Sequence, residues 1–248
     1  MGRETGVRRR VRAAALALLL LAGCAAPAEP APEEMPPPAE APVEEPAAEV
    51  PAEPESPEEE PADTDFVRVK DYIPGIIVDL RYATADNFCG QAVYDFSEAC
   101  LRYGTVKKLS AAQEALAARG YGLKLWDAFR PVAAQFTLWE ICPDSRYVAD
   151  PNRGYSSHSK GNTVDVTLVT ADGTEAEMPT GFDDFSALAD RDYGDVPEEA
   201  AANALLLEET MAEAGFSPYF GEWWHFSDTD EYEVAETSIP EMEEDGNV

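Results

Sequence analysis

The 248-residue sequence predicts an α+β fold, a mostly antiparallel sheet with helices packed on it, in one domain from about Asp65 to Asp228. Three observations predict it. Strand-like and helix-like periodicities are mixed along the chain without the repeating strand-helix-strand rhythm of a parallel sheet. Nearly all aromatic residues fall inside this stretch, which has the length of one ordinary domain and can bury a substantial core. No internal repeat divides it.

The elements follow in order. Val67 and Val69, then Ile76, Val78, Leu80 and Tyr82, alternate with polar positions and read as two extended segments broken at Pro74-Gly75. Thr105 to Arg119 reads as a helix, with Val106, Leu109, Ala112 and Leu116 on one stripe and Gly120 as its stop. Gly122 to Ala128 reads as a strand. Pro131 suits the first position of a helix running to about Ile141, which puts Arg130 at the strand-to-helix junction. Thr163 to Val169 is the clearest strand: Val164, Val166 and Leu168 share one face, while Thr163, Asp165 and Thr167 share the other. Asp165 is therefore expected to point away from the packed face. Ala171-Asp172-Gly173 makes a turn, and Pro197 to Ala214 a long helix closed by Gly215.

Outside this domain the composition changes. The first twelve residues carry five arginines and are followed by an alanine-leucine run from Ala13 to Ala22, the layout of a signal segment too short to span a bilayer. The run ends in Leu21-Ala22-Gly23-Cys24, which resembles the lipobox of bacterial lipoproteins and implies cleavage after residue 23 and lipid on the Cys24 thiol. An ordinary secretory signal with a cysteine at its cleavage site is the alternative; either route delivers the chain outside the cytoplasm. From residue 24 to 64 the chain is rich in proline, glutamate and alanine, with no basic or aromatic residue, so it cannot bury enough apolar surface to offset its ordering entropy. It reads as a disordered tether behind a lipid-anchored, extracytoplasmic domain. Residues 229–248 are acidic again and read as a tail.

After residue 23 there are 48 acidic and 13 basic groups, a balance that argues against nucleic acid as a partner and against electrostatic adhesion to anionic lipid. Contact with a membrane is then expected only through the N-terminal lipid. With Cys24 assigned, Cys89, Cys100 and Cys142 remain, and the sequence does not fix their pairing; no C-x-x-C pattern points to cysteine as a metal ligand.

The chemistry sits with the only two histidines. His158 lies in Ser156-Ser157-His158-Ser159-Lys160-Gly161-Asn162-Thr163-Val164-Asp165, seven residues before Asp165, and on one uninterrupted strand the two side chains would face opposite ways. Gly161 and Asn162 offer a kink that resets the parity and lets them converge. His225 lies in Gly221-Glu222-Trp223-Trp224-His225-Phe226, again with a carboxylate close by. Two histidines and one aspartate are a frequent ligand set for a catalytic zinc, and Glu222 is then placed to act as the base toward water. A regular strand would put Glu222 and His225 on opposite faces, so a bulge or tight turn is expected there. Each His-carboxylate pair is, taken alone, as readily a hydrogen-bonded core or surface pair, and Trp223 and Trp224 are as readily core as pocket wall.

Taken together, Ser156-x-His158-x-x-Gly161-x-x-x-Asp165-x-Thr167-Leu168, Glu222-Trp223-Trp224-His225 and Asp127-Ala128-Phe129-Arg130-Pro131 resemble the D-alanyl-D-alanine dipeptidases, the VanX-type branch of zinc peptidases that also include D,D-carboxypeptidases. The similarity runs from about Val67 to Phe226, through Asp79 to Phe88 and Met178 to Asp183. It implies one zinc ion on His158, Asp165 and His225, Glu222 as general base and later acid, and Arg130 stabilising the developing oxyanion. It further implies that Asp183 meets the ammonium of a small D,D-dipeptide and that Ser156 bonds near its carboxylate, although Asp184 could replace Asp183 and Ser156 could be a turn residue. Asn87 and Tyr82 either line the pocket or support it.

The chain departs from that pattern at Phe129, where a tyrosine is common, and at Ser157, where an arginine is frequent. It departs also in address, since resistance members act on cytoplasmic precursors while this chain reads as exported, which favours turnover of cell-wall peptides. Two rivals stand beside the dipeptidase: a D,D-carboxypeptidase on larger wall peptides, in which Asp-x-x-His tends to replace Glu-x-x-His, and a non-catalytic lipoprotein binding wall fragments, which has no need of a base.

Overall fold

The computed structural model describes residues 60–235, so the expected signal segment, Cys24, the expected tether up to residue 59 and the expected tail beyond residue 235 lie outside the described residues. In chain order these form β1 (Phe66–Arg68), α1 (Val69–Tyr72), β2 (Ile77–Val78), β3 (Cys100–Arg102), α2 (Tyr103–Ala117), β4 (Tyr121–Asp127), α3 (Val132–Ile141), β5 (Thr163–Thr170), α4 (Glu198–Glu213), β6 (Phe216–Pro218) and β7 (His225–Asp228). Strands β1 and β3 make a small antiparallel pair; the main sheet has the order β2-β4-β5-β7-β6. The fold is α+β as expected, and the main sheet is mixed: β2 joins β4 in parallel, and the other three pairings are antiparallel.

The long elements form where apolar spacing selects them. In α2, Val106, Leu109, Ala112 and Leu116 are all buried, and the helix stops at Ala117 because Gly120, at φ 84°, turns the chain into β4. Helix α3 starts after Pro131, whose fixed φ suits a helix entrance. Helix α4 buries Ala200, Ala204, Leu207 and Met211, and Gly215 follows it at φ 97°. These stripes join Leu123 and Leu125 of β4 and Val164, Val166 and Leu168 of β5 in one core. Burying such side chains contributes roughly 1.5–3 kcal/mol each before ordering entropy is subtracted.

Two early expectations need correction. Val69 does not continue an extended segment but opens the single turn of α1, and Tyr82 lies in a 3₁₀ turn, Arg81–Ala83, not on a strand. Pairing of β2 is short because Asp79 N–H makes the last bond to Leu125 O (2.9 Å), after which Ala83 N–H bonds back to Leu80 O (3.0 Å) and the chain curls. Strand β5 also differs from a half-exposed one: every residue from Thr163 to Val169 is buried. The alternation was read correctly as to direction, but a second apolar layer covers the Asp165 face. Trp126, Phe182, Trp223 and Trp224 make it, with ring centroids 5.4–6.0 Å apart. Cys89, Cys100 and Cys142 are free thiols, Cys100 buried within β3. Among the described residues no helix is long and apolar enough to cross a membrane.

Sheet register is what assembles the site. Asp165 on β5 lies directly opposite Asp127 of β4 on one side and His225 of β7 on the other. Opposed residues of an antiparallel pair share a face, so three groups up to 98 residues apart meet on one rung. The register shifts between Leu125 and Asp127, which pair with Val166 and Asp165. That bulge at Trp126 changes the parity of β4: Leu125 stays with the apolar face, while Asp127 is delivered to the face of Asp165.

Candidate active site

His158 is carried by a 3₁₀ turn, Ser157–Lys160, between extended Ser156 and Gly161 at φ 75°. A side chain at Gly161 would be strained there, and its Cβ would come within 2.6 Å of Phe66 Cζ. The left-handed residue reverses the chain into β5, and His158 Nε2 reaches to 3.4 Å from Asp165 Oδ1. His158 Nδ1 lies 2.8 Å from Ala128 O; a carbonyl only accepts, so Nδ1 carries a hydrogen and Nε2 is the nitrogen left facing Asp165.

His225 opens β7 and is preceded by a tight turn in which its N–H donates to Glu222 O at 3.3 Å. The turn brings Glu222 Oε2 to 3.6 Å from His225 Nδ1, which in turn lies 3.0 Å from Asp165 Oδ1. One ligand atom from each of His158, Asp165 and His225 therefore falls within 4.8 Å of the others. A tetrahedral zinc with N and O donors at about 2.0–2.1 Å spaces those donors about 3.3–3.4 Å apart, close to the 3.4 and 3.0 Å that separate His158 Nε2 and His225 Nδ1 from Asp165 Oδ1. His158 Nε2 is buried and makes no hydrogen bond, the state of an atom awaiting a cation, so the residues present fit a zinc ion.

The electrostatics divide three carboxylates into two kinds. Burial works against a charge on Asp165, but the two imidazoles facing it outweigh burial and hold the group below the usual carboxylate range, as an anionic ligand requires. Burial raises Glu222 to about 7, helped by Asp165 and Asp183 and opposed by His225. Burial likewise raises Asp183 to about 7, with Asp165 adding to the rise. Glu222 and Asp183 are thus poised to exchange protons near neutral pH.

Arg130 is buried and held from three sides. Its Nε and one terminal nitrogen donate to Asp127 Oδ2 (3.1 and 2.7 Å), and the other terminal nitrogen donates to Gln135 Oε1 at 2.8 Å. Its plane lies 5.0 Å from the Tyr82 ring. Three of five guanidinium N–H groups are used, which leaves two for a ligand. Asp127 also accepts from Tyr94 Oη at 2.7 Å and from Ala128 N–H at 2.9 Å. Nothing in the sequence spacing assigns a role to Asp127, Gln135 or Tyr94. The one available signal was that Asp127 heads the Asp-x-x-Arg pair at the end of a strand.

Arg130, His158, Asp165, Glu222 and His225 line one cavity of about 280 Å³, and Ser156, Asp183, Tyr82 and Trp224 are also on its wall. Asp183, at φ 56°, receives Tyr82 O–H at 3.1 Å and Phe88 N–H at 3.4 Å. Asp184 instead accepts from Ser186 N–H at 2.9 Å, a local turn, so it is no substitute. Asn87 binds the carbonyls of Arg81, Thr84 and Gln91 and supports its loop. Trp223 is core, its indole N–H bonded to Thr180 Oγ1 at 2.9 Å, while Trp224 is both core and cavity wall. Phe129 is buried against Phe66, centroids 4.9 Å apart, and Ser157 lies on the cavity wall.

A mixed sheet whose central rung carries Asp165 and His225, with His158 on the adjoining turn and a carboxyl and an anchored guanidinium beside them, has the arrangement of a metal-dependent peptidase. The chain belongs to the D-Ala-D-Ala dipeptidase family, whose model matches residues 62–244. A D-alanyl-D-alanine dipeptidase of Escherichia coli is 36% identical over 163 residues, covering 66% of this chain and 84% of that protein. One of Streptomyces coelicolor is 38% identical over 183 residues (66% and 91%), and one of Enterococcus faecalis 32% over 189 residues (68% and 94%).

Proposed function

We propose that the protein hydrolyses the free D-alanyl-D-alanine dipeptide to two D-alanines, with one zinc ion held by His158 Nε2, Asp165 and His225 Nδ1. The observation that carries this reading is the meeting of these three donors, with His158 Nε2 buried and unbonded, beside the carboxyl of Glu222. When bound, the ion supplies Lewis-acid activation of water and of the scissile carbonyl. Glu222 takes a proton from the attacking water and returns it to the leaving amine nitrogen as the C–N bond breaks. Arg130 directs its two free N–H groups at the oxygen on which negative charge develops. Asp183, half-buried in the cavity wall, receives the substrate ammonium, and Ser156 bonds near the substrate carboxylate. A half-buried carboxylate that receives a free ammonium favours a dipeptide over a longer wall peptide, whose chain continues at that point.

The test is release of D-alanine from the free dipeptide and from a wall pentapeptide, before and after chelation and after zinc is restored. Activity on the dipeptide, abolished by chelator and returned by zinc, is expected; preference for the pentapeptide would make the protein a D,D-carboxypeptidase. Cys24 is proposed as the lipid attachment site of an extracytoplasmic protein, on the strength of Leu21-Ala22-Gly23-Cys24 after the apolar run. Membrane fractionation checks this: wild type sediments with membranes and Cys24→Ser does not, whereas equal partition of the two sinks the anchor.

A further inference from the structure

Arg102 does not line the catalytic cavity, yet its guanidinium gathers three separate segments of chain. Its Nε donates to Lys160 O at 2.9 Å, one terminal nitrogen to Thr64 O at 2.6 Å, and the other to Glu233 O at 2.9 Å. Its backbone N–H donates to Gly161 O at 2.9 Å, and its charge lies 4.1 Å from the Phe66 ring centroid. One planar fork thus serves three carbonyls, a task a lysine ammonium cannot reproduce.

The third of these carbonyls belongs to a segment that composition assigns to an acidic tail. Residues 229–235 are instead bound along the turn that carries His158. Asp228 N–H donates to Asn162 O (2.8 Å), Asn162 Nδ2 to Asp230 O (3.1 Å), Lys160 Nζ to Glu231 Oε2 (3.0 Å) and Ala235 N–H to Ser159 O (2.9 Å). The same segment leaves β7 three residues after His225, where buried Asp228 accepts from Thr105 Oγ1 at 2.7 Å and from Lys108 Nζ. A four-residue 3₁₀ turn ended by a left-handed glycine has little stability of its own, so its geometry must come from what is tied to it.

We propose that Arg102 is a positioning residue for metal binding. It buckles the segment Asp228–Ala235 over the Ser159–Asn162 turn, so that His158 and His225 stand at ligand spacing before the ion arrives. This rests on the zinc reading above. A loosened turn has to be ordered by the ion itself, and affinity falls by that amount.

The experiment is zinc affinity of the full-length protein, read by competition with a chromophoric chelator, together with the thermal midpoint of the metal-free form. Wild type should take up one zinc per chain; no uptake refutes the zinc reading and this inference with it. Arg102→Ala, at a temperature where its metal-free form is folded, should bind zinc at least about tenfold more weakly, as removal of an outer support does. With zinc saturating, its kcat and KM should both return to within about threefold of wild type. Arg102→Lys should fall between. If Arg102→Ala does not fold, a chain ending at Asp230, lacking the Glu233 and Ala235 bonds, carries the same expectation, and one ending at Ala235 should match wild type. A folded variant that lowers the thermal midpoint but loses less than about tenfold in zinc affinity overturns the proposal and leaves Arg102 a structural residue.

Discussion

Glu222→Gln leaves a folded protein that binds zinc within a few-fold of wild type and turns the dipeptide over about 10³-fold more slowly, most of the loss in kcat. The amide keeps the size of the side chain and loses only the capacity to take and return a proton, a capacity worth about 10²–10⁴ in rate. Burial and the neighbouring Asp165 and Asp183 raise this carboxyl to about 7. The group works as a base only when ionised, so kcat/KM falls on the acid side, at a pH that the charge of a bound cation places below about 7. Steady-state kinetics on the free dipeptide decide the matter, and a Glu222→Gln enzyme within tenfold of wild type removes Glu222 from the reaction.

The same shift has a consequence for stability in the metal-free protein. A carboxyl whose folded pKa lies above its unfolded value of about 4.5 holds its proton more tightly when folded. Its contribution is fully present below 4.5 and is lost as pH rises through about 7. Metal-free Glu222→Gln keeps that contribution, so above pH 7 it exceeds metal-free wild type by up to a few kcal/mol and shows a flatter thermal midpoint between pH 5 and 8.

The His158-Asp165-His225 cluster was legible because the chain contains only two histidines and sets each near a carboxylate, with a glycine where the parity had to change. The tight turn before His225 was legible for a similar reason: Glu222 and His225 could not otherwise share a face. Asp127 was not, because its place on the rung of Asp165 depends on a bulge at Trp126 that no glycine or proline announces. Tyr94 lies in the irregular stretch between β2 and β3, where no periodicity exists to be read, and Gln135 is one of three polar residues on α3, with Thr137 and Glu140, and nothing in the spacing singles it out. The segment 229–235 escaped because it is held largely by backbone donors and acceptors, and these leave no trace in composition. Burial of both faces of β5 was hidden because the covering aromatic residues come from β4, from the loop before α4 and from the turn before β7.

Arg130→Lys and Arg130→Ala separate what the guanidinium does to the substrate from what it does to the fold. Arg130 spends three donors on Asp127 and Gln135 and keeps two, and Asp127 outweighs burial in holding the group charged at any working pH. Lysine retains the charge but cannot bind Asp127 twice and still reach an oxyanion. Arg130→Lys is therefore expected to fold and to lose about 10²–10³ in kcat with KM changed only a few-fold, the mark of an interaction made in the transition state. Arg130→Ala leaves Asp127, which is fully buried, without its counter-ion. Removing one partner of a buried pair destabilises by about 3–5 kcal/mol, so this variant should show the same kinetic loss together with a thermal midpoint lower by about 10 °C. The pairing of results carries the argument. A rise in KM alone in Arg130→Lys would assign the guanidinium to ground-state binding, and an Arg130→Ala protein as stable as wild type would mean that Asp127 finds another partner.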